Sequence, residues 1–135
     1  MSQPTYLDVL AWICLKDRKV LCARTKGNDI FYLPGGKRQP GESNWEGIAR
    51  EVREELSVSL IEKTLVERLV VKEKAHGFTE PTWVEMRCFT ADYKGKIVAS
   101  SEIEEIAWFQ LKDINSCAPA NQRVLEYLGE QQLIN

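Results

Sequence analysis

The chain contains 135 residues, of which 44% are hydrophobic and 28% are charged, and its formal net charge is −2. These values are typical of one globular domain that can bury its own core, so we treat residues 1–135 as a single domain. The slight negative charge argues against a surface that binds nucleic acid or anionic membranes, and no apolar segment is long enough to span a membrane.

The first half of the chain is predicted to form a hairpin, a short strand and a helix. Residues 6–15 are apolar and rich in β-forming residues, and the apolar pattern resumes at 20–23 after four polar residues, which indicates a hairpin. Residues 30–33 form a short apolar segment that ends at Pro34, and we expect another strand there. The helix is expected to begin at Ser43 or Asn44, because Ser43 and Glu46 have the spacing of a capping box.

The second half is predicted to contain three longer strands and a terminal helix. The strands are expected at residues 65–71, 83–93 and 103–109, with a charged loop between the first two. A helical turn at 111–115 precedes a helix over 122–132, on which Val124, Leu125 and Leu128 share the inward face. Strands with a helix inserted between them predict an α/β fold.

The four cysteines are scattered and include no C-x-x-C pair, which excludes a zinc framework and favours buried, unpaired side chains. The N-terminal segment does not resemble a secretory signal, since it lacks a basic start and an unbroken apolar run. We therefore expect a cytoplasmic protein without membrane attachment and without a stable nucleic-acid complex.

The predicted helix carries acidic residues in an unfavourable arrangement. Its apolar stripe consists of Trp45, Ile48, Ala49, Val52 and Leu56. Beside this stripe, Glu51 lies three and four residues before Glu54 and Glu55, so like charges are neighbours, and the latter two meet the negative end of the helix dipole. Each effect costs about 0.3–1 kcal/mol. A solvated acidic face is one interpretation, and the other is a divalent cation that neutralises the repulsion.

The spacing of these residues resembles the Nudix box, G-x5-E-x7-R-E-U-x-E-E-x-G-U, in which U is aliphatic. The match runs from Gly36 through Glu42 to the segment R-E-V-R-E-E-L-S-V, over residues 36–58. All the charged positions agree, and the single departure is Ser57 in place of glycine. A left-handed serine at the end of a helix should cost about 1 kcal/mol. The resemblance implies a Nudix-type α/β/α sandwich with a mixed β-sheet.

The resemblance also implies a set of metal-binding and catalytic residues. The carbonyl of Gly36 and the carboxylates of Glu51, Glu54 and Glu55 would bind Mg²⁺, for which Mn²⁺ is a possible substitute. Glu54 is the first candidate for the general base, and Arg50 and Glu42 would support the acids and the loop. Many family members have a further acid before a late strand. We assign that position to Glu102, with Glu105 as the next choice and a solvated strand edge as the alternative.

The substrate-binding residues are less clearly indicated by the sequence. Arg24 and Lys37 are candidates for binding phosphates, although surface cations are common. Phe78 is a candidate for stacking on a base, as are Trp83 and Tyr32, although packing also explains such residues. Asn121 resembles a base-reading asparagine of the MutT branch, and it would equally serve as the N-cap of the terminal helix.

The resemblance implies a pyrophosphohydrolase of the MutT-like branch. The expected reaction is Mg²⁺-dependent hydrolysis of a nucleoside tri- or diphosphate by attack of water on phosphorus, including the removal of modified nucleotides. Hydrolysis of ADP-ribose or a nucleotide sugar is one alternative, and a non-catalytic nucleotide sensor is another. The partner is a small nucleotide, and the sequence leaves a monomer and a homodimer open.

Overall fold

The computed structural model describes residues 5–135 and contains nine strands, two α-helices and two short 3-10 helices within that range. The strands are β1 (Thr5–Trp12), β2 (Leu15–Lys16), β3 (Lys19–Thr25), β4 (Gly35–Lys37), β5 (Ser59–Leu60), β6 (Val66–Lys74), β7 (Thr82–Thr90), β8 (Tyr93–Lys94) and β9 (Ile103–Phe109). The helices are α1 (Asn44–Leu56) and α2 (Pro119–Glu130), and the 3-10 helices span Glu62–Thr64 and Leu111–Ser116.

The strands form one mixed sheet and two smaller antiparallel sheets. The mixed sheet has the order β4-β1-β7-β6, in which β1 runs parallel to β7 and antiparallel to β4. A second sheet has the order β2-β3-β9, and β5 pairs with β8. The expected mixed β-sheet is therefore confirmed.

Strand β1 separates two hydrophobic cores because its side chains alternate between the two faces of the sheet. Leu10 and Trp12 pack in one core with Ile48 of α1, whereas Ala11 packs in the other with Val124 of α2. One helix thus covers each side of the strands, and the expected α/β/α sandwich is confirmed. All four cysteines are buried and unpaired. No helix in the described range is long and apolar enough to cross a membrane.

Two predictions for the first half of the chain were wrong in detail. The polar turn exists, with Asp17 and Arg18 at positive φ, but β3 pairs there with the two-residue strand β2 and on its other edge with β9. Strand β1 instead pairs with β4 and β7. The apolar segment expected as a strand forms only isolated bridges at Phe31 and Tyr32, and the regular strand begins after Pro34. Both differences arise from pairing between distant segments, which local patterns do not encode.

The second half agrees more closely with the expectations. Strand β9 has the expected bounds, and the inward residues Val124, Leu125 and Leu128 are buried. Helix α2 begins three residues earlier than predicted, because Pro119 occupies its first position, where a missing N–H costs nothing.

Helix α1 is closed at both ends by serine residues. The Ser43 hydroxyl accepts a hydrogen bond from the Glu46 N–H at 3.1 Å, and the Glu46 carboxylate accepts one from the Ser43 N–H at 3.0 Å, so the predicted capping box is confirmed. At the other end Ser57 is left-handed, with φ of 64° and ψ of 22°, and its N–H donates to the Arg53 carbonyl. The serine therefore adopts the conformation that a glycine adopts without strain.

This backbone conformation predicts an order of stabilities at position 57. Ser57→Gly should be more stable than Ser57→Ala by about 1 kcal/mol, because only glycine avoids the left-handed penalty. Ser59 provides the control because it is an exposed serine in the extended strand β5. At this position the Ser59→Gly variant should be less stable than the Ser59→Ala variant. Urea unfolding of the four variants measures both orders. Equal stability of the two variants at position 57 would contradict the left-handed cap.

Candidate active site

The three acidic residues at the end of α1 have different surroundings. Glu51 is 15% exposed and accepts a hydrogen bond from Arg50 Nη1 at 2.9 Å. Glu54 is 54% exposed and lies 3.5 Å from the same guanidinium nitrogen. Glu55 is largely buried, and its Oε1 accepts a hydrogen bond from the Gly35 N–H at 3.0 Å. Two of the acids are thus held by other groups, while Glu54 remains largely in solvent.

Two adjacent glycines allow β4 to approach both β1 and the acidic helix. A Cβ at Gly35, whose φ is 147°, would lie 1.9 Å from the Leu10 carbonyl oxygen. A Cβ at Gly36 would lie 2.6 Å from the Glu51 carboxylate. Any side chain at either position would therefore displace the strand or the acid. Gly35 is required by close packing against the β1 backbone, whereas a side chain at Gly36 would have to move the Glu51 carboxylate.

Arg50 connects the helix to the loop that precedes it. Its Nε and Nη2 donate to the two carboxylate oxygens of Glu42 at 2.7 and 2.9 Å, and Nη2 also donates to the Lys37 carbonyl at 3.2 Å. This guanidinium, together with the Gln39 N–H, lowers the pKa of Glu42 to about 2. Glu42 in turn raises the pKa of Arg50. The pair remains charged throughout the neutral range and fixes the loop against α1.

Glu55 experiences the negative charge of its neighbours. Burial is the largest cause that raises its pKa, to about 8, and the charges of Glu51, Glu54 and Glu102 act in the same direction. The hydrogen bond from the Gly35 N–H acts in the opposite direction. Glu102 is exposed and directly precedes β9, as the sequence predicted for the strand's edge. The charges of Glu51, Glu54 and Glu102 thus all act on the Glu55 carboxyl.

The donor set is compatible with a hard divalent cation. Mg²⁺ prefers oxygen ligands and commonly uses one or two carboxylates together with substrate phosphates. Because residue 36 is a glycine, no side chain lies between its backbone and the Glu51 carboxylate. Within residues 5–135, however, no three His, Cys, Asp or Glu side chains are already gathered as a metal site. The carboxylates of Glu51 and Glu55 instead accept hydrogen bonds from Arg50 and from the Gly35 N–H.

An apolar cavity of about 200 Å³ lies beside β1 and the start of α2. Its wall contains the predicted substrate residues Lys37, Phe78 and Asn121. A second cavity of about 120 Å³ contains Gly35 and Glu55. The two cavities share the lining residues Val9, Tyr32, Met86 and Asn121. The acidic end of α1 thus adjoins a chamber whose size and apolar lining suit a planar organic group.

Asn121 lies in the wall between the two cavities. It is only 2% exposed, and its Nδ2 has no hydrogen-bond partner among the described residues. The interpretation of Asn121 as a helix cap is wrong, because it is the third residue of α2 and Ala118 occupies the cap position. A buried amide without a partner is costly, so a ligand acceptor is a physical explanation for its retention.

Arg24 differs from the other predicted substrate residues in its placement. Its guanidinium forms an ion pair with Glu105 at 3.0 Å and donates to the Asn28 carbonyl at 3.0 Å. It lines neither of the two cavities described above. Glu105, the second choice for the additional acid, is thereby engaged by Arg24 and directed away from the role assigned to Glu102.

Several cavity residues were not identified from the sequence. His76 lies in the wall of the larger cavity, and its Nδ1 is 3.1 Å from the Tyr32 hydroxyl. Lys74 and Val84 line the same cavity from β6 and β7. These residues belong to no local motif, since the sheet brings them together from distant segments.

Comparison with known proteins connects this geometry to one family. A model of the NUDIX domain matches residues 5–128. The chain is 32% identical over 134 residues to the "Uncharacterized Nudix hydrolase YvcI" of Bacillus subtilis, and the alignment covers 95% of this chain and 83% of that protein.

Solved structures provide a second comparison. The NUDIX hydrolase from Nitrosomonas europaea superimposes with a TM-score of 0.75 at 19% identity, over 96% of this chain and 91% of that one. The MutT protein from Methanosarcina mazei Go1 superimposes with a TM-score of 0.73 at 23% identity, over 97% and 98% of the two chains. At these identities the structural similarity shows the shared fold.

Proposed function

The chain belongs to the Nudix hydrolase family, whose members use divalent cations and act on small nucleotide substrates, and on this basis we propose that it is a MutT-like nucleotide pyrophosphohydrolase. The substrate is a nucleoside tri- or diphosphate, and residues 1–135 act as one catalytic domain. The observation that carries the proposal is the position of the acidic end of α1 next to an apolar cavity that contains an unpartnered amide. The acidic end of α1 suits phosphates with a bound cation, and the apolar cavity suits a nucleobase.

The carbonyl of Gly36 and the carboxylates of Glu51, Glu54 and Glu55 would hold the cation, with Mg²⁺ as the first choice and Mn²⁺ as its substitute. The chemistry that such a cation supplies is neutralisation of the phosphate oxygens and activation of water. Arg50 would orient Glu51, because it already holds this carboxylate while binding Glu42. Glu102, which directly precedes β9, would add a fourth acid.

Glu54 is proposed as the general base. Its carboxylate is the most exposed of the three and is held only by one long contact to Arg50, so it can reach a water molecule. In the reaction, the water oxygen forms a bond to phosphorus, the anhydride bond to the leaving phosphate breaks, and Glu54 receives the proton. Glu55 is less suited to this role because its carboxylate is buried and bound to the Gly35 N–H.

The larger cavity is proposed to bind the nucleobase. Phe78 is 49% exposed at its wall and would stack on the base, and Lys37 would bind a phosphate near the acids. The Asn121 Nδ2 would donate a hydrogen bond to a carbonyl oxygen on the base edge. Recognition by this donor would favour bases that present such an acceptor.

Glu54→Gln tests the reaction. The variant should lower kcat by about 100-fold or more, because a positioned base and a cation ligand are lost together. A panel of nucleoside tri- and diphosphates, nucleotide sugars and ADP-ribose should be assayed with and without Mg²⁺, with identification of each product. Glu62→Gln is the control, since Glu62 is exposed in the 3-10 helix Glu62–Thr64 and lines neither of the two cavities.

Turnover of nucleoside tri- or diphosphates that requires the cation and fails in Glu54→Gln supports the proposal. Preferential cleavage of nucleotide sugars or ADP-ribose would replace the substrate assignment. Tight nucleotide binding without turnover of any compound would identify a sensor and contradict the enzymatic proposal. Near-normal turnover by Glu54→Gln would remove Glu54 from the reaction centre.

Asn121→Leu tests the base site through stability as well as activity. Leucine has a similar branched shape but a larger volume, for which the two adjoining cavities offer space, and it removes a buried donor that has no partner among the described residues, so the free protein should keep its stability to within about 1 kcal/mol. The same change should weaken discrimination among bases by about 10-fold or more, because a site that hydrogen-bonds its ligand discriminates strongly. Urea unfolding and kcat/KM for several bases provide the two measurements. A large loss of stability with unchanged selectivity would show that Asn121 has a structural role only.

A further inference from the structure

The C-terminus of α1 is closed by a distant segment of the chain. The last four carbonyls of a helix have no partner within it. Here the Arg53 carbonyl accepts from the Ser57 N–H at 3.1 Å, and the Leu56 carbonyl accepts from the Val98 N–H at 3.0 Å. The remaining two belong to Glu54 and Glu55. Both are satisfied by Ser100, whose hydroxyl donates to the Glu54 carbonyl at 2.6 Å and whose N–H donates to the Glu55 carbonyl at 2.9 Å.

Ser100 also begins the turn that carries Glu102. The Ile103 N–H donates to the Ser100 carbonyl at 3.1 Å, which closes the turn, and the Lys26 N–H donates to the Glu102 carbonyl at 2.9 Å. Between them Ser101 has a φ of 57°, a conformation that a serine adopts only at a cost. Glu102 is thus held on a tight, strained turn whose first residue is bonded to the acidic end of α1.

The one departure from the Nudix box contacts the same residue. The Ser57 hydroxyl donates to the Ser100 hydroxyl at 3.3 Å, and the Ser100 hydroxyl donates to the Glu54 carbonyl. A glycine at position 57 would lack the first of these two bonds. The serine therefore extends the hydrogen-bonded connection between the end of α1 and the turn.

We propose that Ser100 is a positioning residue that holds Glu102 at a fixed place relative to Glu54 and Glu55. This inference rests on the proposed function, since it assigns a catalytic consequence to that arrangement. Within the described part of the chain, the hydrogen bonds of Ser100 join it only to backbone groups and to the Ser57 hydroxyl, so it would act through the acids. Loss of its hydroxyl would leave the Glu54 carbonyl without its partner and release the turn from one of its two bonds to α1.

The expected effect is on the reaction step more than on substrate binding. A misplacement of about 1 Å in a catalytic arrangement can reduce a rate by as much as 100-fold. Because the Ser100 N–H remains in Ser100→Ala, we expect a smaller reduction in kcat, of about 5- to 20-fold, with KM changed by less than about twofold. Ser100→Thr keeps a hydroxyl and should restore most of the lost kcat.

The control is Ser43→Ala, which removes the serine that caps the other end of the same helix. It should lower the melting temperature without a comparable loss of kcat, because Ser43 is bonded to Glu46 and not to the site.

The decisive comparison is a double-mutant cycle with Glu102→Gln. If Ser100 acts through Glu102, Ser100→Ala should reduce kcat by less than about twofold in the Glu102→Gln background.

Amide hydrogen exchange gives a second measurement that does not depend on turnover. The Ile103 and Lys26 amides should exchange at least about fivefold faster in Ser100→Ala than in the wild-type protein, and they should be unchanged in Ser43→Ala. If the wild-type enzyme hydrolyses no nucleotide, the proposed function fails, and the exchange rates still decide whether the Ser100 hydroxyl holds the turn.

Three results would overturn the inference. Equal losses of melting temperature in Ser100→Ala and Ser43→Ala, with kcat unchanged in both, would make Ser100 a helix cap only. An undiminished effect of Ser100→Ala in the Glu102→Gln background would show that it does not act through Glu102. Unchanged exchange of the Ile103 and Lys26 amides in Ser100→Ala would show that its hydroxyl does not hold the turn.

Discussion

The contacts of the Arg50 guanidinium are the interaction on which the acidic site depends. Like charges at neighbouring positions of α1 repel one another, and the helix dipole adds to the cost near its C-terminus. Arg50 offsets part of this cost by contacting Glu51 and Glu54, and it binds both oxygens of Glu42 at the same time. A planar guanidinium can make these contacts together, whereas a lysine would provide a single charged nitrogen. The loop before α1 is therefore fixed by the same group that steadies its acids.

The fold supplies a second element, an apolar chamber beside those acids. Strand β1 turns alternate side chains toward α1 and α2, so one strand supports the acidic helix on one face and the cavity on the other. Asn121 and Tyr32 lie where the chamber meets the smaller space around Glu55. In this region the buried Asn121 Nδ2 has no hydrogen-bond partner among the described residues, and burial together with nearby acids raises the pKa of the Glu55 carboxyl. Such local costs are expected where a site is built for a partner and not for maximal stability.

Local patterns in the sequence predicted those elements whose determinants lie close together in the chain. The Ser43–Glu46 cap, the stripe on α1 and strand β9 depend on neighbours within a few residues, and all were found as expected. The parallel pairing of β1 with β7 joins residues 77 positions apart, as in Thr5 with Thr82, and no local pattern contains that information. The start of α2 was placed three residues too late although Pro119 at its first position is a local signal, and Asn121 was therefore interpreted as a possible cap. The roles of Ser100 and Arg24 depend on hydrogen bonds to distant backbone and side-chain atoms.

We propose that Glu51, Glu54 and Glu55 together hold a divalent cation, and titration calorimetry can measure its binding directly. Mg²⁺ or Mn²⁺ should be titrated into the wild-type protein and into a folded variant in which all three residues are glutamine, each with a non-hydrolysable nucleotide analogue present. Saturable uptake is expected for the wild-type protein, with an affinity at least about 10-fold weaker in the variant. No uptake by the wild-type protein, or equal affinities of the two proteins, would contradict it.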